Sequence, residues 1–295
     1  ALETRFADAP GVVVVEDDLL FSPDVLDYFE TVGGPLLDAD DTVFAVSAWN
    51  DNGFFDDEDP VALRRSRWFP GLGWLLSRRL WRELAPKWPT THWDHWMRSA
   101  KQHGGRDCVF PAVPRTFHAG SKGTFMDSWH DTRYFAPIRH QTDAAFAWPA
   151  DAWRAALKDA YEADIARRLT AADHHVGDLT QLAHLDFSKG GQTGGSSRER
   201  ATTTTTIAVW YRWKPSDGSS LRPPPFVCVA ETFRLWHEEK RTDHHGLHRC
   251  RYRGADVLLV NAETSKYAKL KPPQVAPLVQ RDCPRTTWAD LGRGS

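Results

Sequence analysis

Apolar and polar positions fall in short blocks along this chain, and the sharpest boundary lies near its start, where Val12, Val13, Val14 and Val15 run directly into Glu16, Asp17 and Asp18. A short β-branched run predicts a fully buried strand. Acids placed where such a strand ends stand at the carboxyl edge of a sheet, where open α/β folds bind ligands. Ser22-Pro23-Asp24 then reads as an N-cap with proline at the first helical position, followed by Val25, Leu26 and Phe29 at helical spacing. A second apolar run, 43–46, predicts a strand opening onto the polar stretch Ser47-Ala48-Trp49-Asn50-Asp51-Asn52-Gly53. Residues 70–76 combine flexible glycine-rich backbone with apolar side chains, and 77–84 predicts a helix closed by Pro86.

Further on, Trp153, Ala156, Leu157, Ala160, Ile165 and Leu169 give 151–170 the periodicity of a packing helix. Residues 190–206 and 216–225 have linker composition, and the apolar stretch 207–213 between them predicts a strand. From 226 the pattern reads as strand, helix (232–239), loop, strand (256–260) and a proline-rich tail. The expected class is α/β: a core over 1–150, a packing helix and connection over 151–188, and a linker-like insertion over 189–206. A small α+β C-terminal lobe follows over 207–275, then a tail over 276–295.

Composition narrows the chemistry. With 295 residues and 41% hydrophobic content the chain can bury one large core or two smaller ones. A net charge of −2 provides no basic field for nucleic acid, so a phosphate ligand needs a local site. The four cysteines, Cys108, Cys228, Cys250 and Cys283, form no CxxC pair, which excludes a compact zinc module and leaves two disulfides open. No apolar run reaches the roughly 20 residues that cross a bilayer, and no secretory leader pattern opens the chain. Leu2 and Phe6 have the spacing of a helix end, so the chain as given is expected to begin in mid-domain.

Three adjacent carboxylates repel one another and lose hydration on burial, so they call for a hard cation such as Mg²⁺ or Mn²⁺, or for several N–H donors. The same pattern also suits acids that cap the next helix or lie solvated in a loop. Trp81, Trp88, Trp93 and Trp96 crowd one stretch, where flat indole faces suit sugar rings and equally suit a core. His237, His244, His245 and His248 match no ligand spacing and read as exposed polar residues. There is no GxSxG, no phosphate-binding GxxxxGK and no GxGxxG.

Five motifs stand in order: Val13-Val14-Val15-Glu16-Asp17-Asp18-Leu19, Ser47 to Gly53, Phe69-Pro70-Gly71-Leu72-Gly73-Trp74-Leu75, Pro86-Lys87-Trp88-Pro89 and Trp93-Asp94-His95-Trp96-Met97-Arg98. Together they resemble the β-1,2-N-acetylglucosaminyltransferase family that acts on mannose, which includes N-acetylglucosaminyltransferase I and the protein O-linked-mannose enzyme. The resemblance is strong over 12–120 and weaker through Gly246-Leu247 and Lys271-Pro272-Pro273. It implies a GT-A fold with a mixed sheet, Mn²⁺, and transfer of GlcNAc from a UDP-GlcNAc donor to O2 of a terminal mannose on a glycoprotein acceptor, with inversion. Two alternatives stand beside it, the O-mannose reaction and a catalytically dead sugar-binding relative.

Carried over residue by residue, the resemblance implies Asp18 as the metal ligand, Asp17 on the nucleotide side and Glu16 facing the GlcNAc. It makes Asp94 the general base and places Leu72 and Trp93 along the donor-sugar pocket; independently, the position of Asp94 between Trp93 and Trp96 predicts that it is shielded from water. It also implies that Cys108 lacks its usual disulfide, since the partner position is Ala45, and that a loop contact is altered near Phe125. His118-Ala119-Gly120-Ser121-Lys122-Gly123 supplies glycine hinges and a cation for phosphate. The first nucleotide-binding strands and a Golgi signal anchor are expected to precede Ala1, leaving a sheet edge unpaired and UDP poorly bound by the chain as given.

Overall fold

The computed structural model describes residues 5, 8–55, 58–120, 128–185, 204–214 and 222–284. They fall into two units: one holds the described residues among 1–54, 58–162 and 240–244, the other those among 55–57, 163–239 and 245–295.

The first unit carries β1 (Gly11–Val14), β2 (Leu19–Phe21), β3 (Val43–Ser47), β4 (Leu63–Ser66), β5 (Trp74–Ser77), β6 (Asp107–Pro111) and β7 (Thr116–His118). Its mixed sheet has the order β1-β5-β3-β6-β4, with β3 and β6 parallel and the other neighbours antiparallel. Among the described residues the valine strand is therefore an edge strand and not the buried one expected. Val12 and Val14 turn inward opposite Leu76 and Trp74, whereas Val13 is 36% and Val15 49% exposed. Contiguous valines fit a sheet covered on both faces, and here one face of the strand meets solvent.

The central strand β3 is buried throughout and divides two apolar layers. Val43 and Val46 join Tyr28, Val32 and Leu36 on one side, while Phe44 and Ala45 join Leu80, Leu84 and Met97 on the other. A register shift between Val43 and Ala45 lets two successive residues share a side. The first layer is roofed by a continuous helical run, Val25–Tyr28, Phe29–Gly33 and Gly34–Ala39, whose middle is a π turn. Pro35 donates no N–H within it, and a Cβ on Gly33 would lie 3.0 Å from Leu75, so the run presses closely on the sheet. The helix Arg78–Leu84, capped by Ser77, roofs the second layer. Residues 70–76, expected as flexible backbone, instead end in β5.

Buried charges are paired. The Arg65 side chain, fully buried on β4, donates to Asp40 at 2.9 Å and to Asp107 at 3.0 Å. It also reaches the Ala156 carbonyl at 2.8 Å. His244 belongs to the same network and is not exposed as expected: its Nδ1 lies 3.4 Å from Asp107 and its ring meets Tyr161 edge-on. Cys108 is a buried free thiol directly opposite Ala45 in the register.

In the second unit β8 (His174–Val176), β9 (Thr206–Tyr211), β10 (Leu247–Tyr252) and β11 (Ala255–Asn261) have the order β10-β11-β9-β8. Arg253 and Gly254, both at positive φ, close the two-residue hairpin between β10 and β11. The strand expected from 226, and the helix over 232–239, are replaced by one helix, Pro225–Phe233. Two β-branched valines, Val227 and Val229, favour strand, yet most of the helix is buried against the sheet, so tertiary burial overrides local preference. Of the two disulfides left open one forms, Cys228 to Cys283, and Cys250 is a buried free thiol. His248 is likewise buried, against Phe226. The expected insertion over 189–206 and the tail over 276–295 lie largely outside the described residues.

Asp40 is pushed up by burial but pulled further down by bonds from Thr42, the Lys158 N–H and Arg65, so its carboxyl sits below the ordinary value. Its stabilising contribution is present above the unfolded carboxyl value and is lost as pH falls through the depressed one. Asp40→Asn is expected to cost about 3–5 kcal/mol near neutral pH and to flatten the acid limb of stability below about pH 4. Urea unfolding across pH measures both, and an unaltered acid limb refutes the assignment.

Candidate active site

The acids leave β1 and reach β2 within a few residues, so their backbone is held from both sides. Leu19 pairs with His118 across β2 and β7, and the Ala119 N–H donates to the Asp18 carbonyl at 2.9 Å. This pairing brings the Asp18 carboxylate against the imidazole: His118 Nε2 lies 3.1 Å from Asp18 Oδ2. Asp18 Oδ1 and His118 Nδ1 are both buried and have no hydrogen-bond partner among the described residues. The His118 ring leans on Phe135 at 5.0 Å between centroids. A Cβ on Gly120 would come within 3.0 Å of Asp18 Oδ2, so that position keeps space open beside the carboxylate.

Leu72, half-buried, belongs to a turn stitched to this ribbon by Thr116 Oγ1, which donates to the Leu72 carbonyl at 2.8 Å. Gly73 follows with φ of 83°, and its Cβ would strike Thr116 at 2.8 Å, so both conformation and space demand glycine there. Ser47 Oγ donates to the Pro70 carbonyl at 2.6 Å and fixes the start of the same turn.

Asp94 lies in the first turn of the helix Trp93–Met97, where a carboxylate suits the helix dipole. The expected shielding between indoles is not what the fold provides. Trp93 stacks on Trp74 and Trp88 at 6.0 and 6.3 Å, and Trp96 packs against Trp88. The tryptophans thus mainly cover one another, while the Asp94 side chain stays 35% exposed. Its partner is a cation: Arg98 donates to Asp94 Oδ2 at 2.7 Å, and His95 Nε2 is 3.9 Å from the same oxygen. Arg98 is itself fixed by the Phe69 carbonyl at 3.3 Å and by the Trp68 ring, 4.7 Å below its guanidinium.

The two groups of residues share one electrostatic field. Trp74 pairs with Val14 on one side and stacks on Trp93 on the other, which seats the Asp94 helix beside the end of β1. Partial burial, and next the Asp18 carboxylate, hold Glu16 above the ordinary carboxylate value. Asp94 pushes the same way, while His118 and Arg98 act against it. Asp17 is exposed. Neither His118 as a neighbour of Asp18 nor Arg98 as a partner of Asp94 was assigned from sequence. An Asp–x₃–Arg spacing on a helix could have flagged the second, and nothing local flags the first. Residues 121–127, with Lys122, Gly123 and Phe125, lie outside the described residues.

The sign of each neighbour on Glu16 can be checked. Asp18→Asn and Asp94→Asn remove negative charge and are each expected to lower the Glu16 titration midpoint, while Arg98→Met raises it. Carboxyl NMR on the metal-free protein reads this, and a Glu16 indifferent to Asp94→Asn refutes a common field.

This geometry can be set beside known proteins. The chain is 44% identical over 140 residues to an Arabidopsis thaliana protein named alpha-1,3-mannosyl-glycoprotein 2-beta-N-acetylglucosaminyltransferase, a match covering 47% of this chain and 31% of that relative. The match thus spans less than a third of the relative's length. The family model for the GNT-I family matches residues 1–190, which take in every acid, indole and arginine of the site described above. On that match over more than half its length, the chain belongs to the GNT-I family.

Proposed function

We propose that this protein transfers GlcNAc from UDP-GlcNAc to O2 of a terminal mannose on a glycoprotein, with inversion, using Mn²⁺. The observation that carries this is the seating of the Asp94–Arg98 helix beside the acids after β1 through Trp74, which pairs with Val14 and stacks on Trp93, in a chain of the GNT-I family. The name of the Arabidopsis thaliana relative favours mannosyl-glycoprotein over an O-linked mannose acceptor.

A divalent cation fits the residues present, because Asp18 Oδ1 is a buried carboxylate oxygen with no donor to satisfy it among the described residues. Asp18 would hold the ion, which when bound supplies positive charge to offset that developing on the departing UDP. Asp17 then contacts the nucleotide side, Glu16 faces the GlcNAc, and Leu72 and Trp93 line the donor-sugar pocket. Asp94 accepts the proton of the mannose O2 hydroxyl as that oxygen bonds to the anomeric carbon and the bond to UDP breaks with its electron pair. Arg98 occupies Asp94 Oδ2, so Oδ1 remains to take the proton. Attack opposite the leaving group inverts the α-linked donor and needs no covalent sugar intermediate.

Among the described residues no helix is long and apolar enough to cross a membrane. The Cys228–Cys283 disulfide supports an oxidising compartment, for which we propose the Golgi lumen.

The assay uses the intact protein that carries this chain, with UDP-GlcNAc and a mannose-terminated glycopeptide. Asp94→Asn is expected to lower turnover by about 10²–10⁴-fold while metal-dependent UDP binding persists, and Asp18→Ala to abolish that metal dependence. Glycan binding indifferent to chelator and UDP, with no transfer, overturns the proposal.

A further inference from the structure

We propose that His118 is a second protein ligand of the bound cation, beside Asp18, and that this nitrogen sets a preference for Mn²⁺ over Mg²⁺. The inference rests on the reading that a divalent ion binds at Asp18.

The geometry is that of two neighbouring ligands. His118 Nε2 and Asp18 Oδ2 are 3.1 Å apart. Adjacent ligands in an octahedral shell with bonds of about 2.1–2.2 Å are separated by about 3.0–3.1 Å, the bond length times √2. The pair is built in, not assembled by chance from mobile side chains. Leu19 opposite His118 fixes both backbones, the Ala119 N–H clamps the Asp18 carbonyl, and the His118 side chain is only 10% exposed against Phe135.

Among the described residues the imidazole's polar contact is with Asp18 itself. Its Nδ1 has no protein partner among the described residues, so the proton can sit there while Nε2 exchanges its 3.1 Å contact with Asp18 Oδ2 for a lone pair presented to the ion. Asp18 Oδ1 is buried and unsatisfied in the same place. The unpartnered atoms among the described residues, Asp18 Oδ1 and His118 Nδ1, are not those of the 3.1 Å pair, so a cation held by Oδ2 and Nε2 replaces the bond between the two side chains and breaks no other described one. A Cβ at 120 would intrude on this space at 3.0 Å from Asp18 Oδ2 and 3.2 Å from the His118 ring, and the residue there is glycine. Carboxylate oxygen alone suits Mg²⁺ as well as Mn²⁺, whereas an imidazole ligand favours the transition metal.

The test is Mn²⁺ bound to the intact protein with UDP, followed by pulsed electron paramagnetic resonance with histidine labelled in the heavy nitrogen isotope. Coupling of the Mn²⁺ electrons to a histidine nitrogen is expected in the wild type and is lost in His118→Ala, with Mn²⁺ affinity down by about 10–100-fold. His118→Asp restores an oxygen ligand; it is expected to recover Mn²⁺ affinity without the nitrogen signal and to narrow the Mn²⁺ to Mg²⁺ ratio. Mn²⁺ that binds Asp18 with no histidine coupling overturns the ligand role and leaves the site itself standing. Absence of any Mn²⁺ binding overturns both.

Discussion

A fully buried guanidinium must be matched or the fold does not form, and in this protein the Arg115–Asp24 pair meets that requirement where the candidate site begins. Arg115 Nε donates to Asp24 at 2.6 Å with both side chains essentially out of solvent. Trp148 Nε1 donates to the same carboxylate oxygen at 2.9 Å, and its ring lies 4.5 Å from the guanidinium. Such a pair is worth little against an apolar substitute, but losing one partner strands the other at a cost of several kcal/mol. Its position gives it consequence. Arg115 leads into β7 and Asp24 follows β2, while the Ser22 N–H donates to the Arg115 carbonyl and the Arg115 N–H to Ala48. The pair therefore closes one end of the two-stranded ribbon whose other end carries Asp18 and His118.

Much of the fold was legible where a signal is local and unopposed. The strand at 43–47, the helix capped by Ser77 and the strand at 255–261 follow from apolar runs and caps that tertiary packing has no reason to overrule. Where burial and propensity disagree the pattern misleads. Val227, Cys228 and Val229 look like strand and lie in a helix because most of the helix, these three residues included, is buried. The four valines look central and lie at an edge because a run of identical side chains carries no record of how many neighbours the strand has.

The candidate site divides the same way. The acids after β1, and Asp94 among its tryptophans, are contiguous stretches and can be read as such. What surrounds them is set by contacts between segments far apart in the chain. His118 reaches Asp18 through a pairing of two three-residue strands, too short to announce themselves by alternation. The tryptophans announced aromatic surface correctly but not its use: stacking among Trp74, Trp88 and Trp93 satisfies their apolar area internally and leaves the carboxylate to an arginine.

That division has a chemical logic. Transfer from a nucleotide sugar needs positive charge where the diphosphate departs and a carboxylate that stays anionic where the hydroxyl loses its proton. One undivided cluster of acids would serve neither, since mutual repulsion would protonate part of it and leave no oriented base. Here the acids are held on separate supports: Asp18 on the ribbon with His118, Asp94 on a helix with Arg98. Glu16 lies in the field of both: partial burial first and the Asp18 carboxylate next push it upward, with Asp94 a smaller push the same way. On the proposed reading, a cation at Asp18 offsets the part of that push that comes from Asp18 and leaves Arg98 with Asp94. On the proposed reading, the half that would bind metal and the half that would take the proton can then be charged independently, each on its own support.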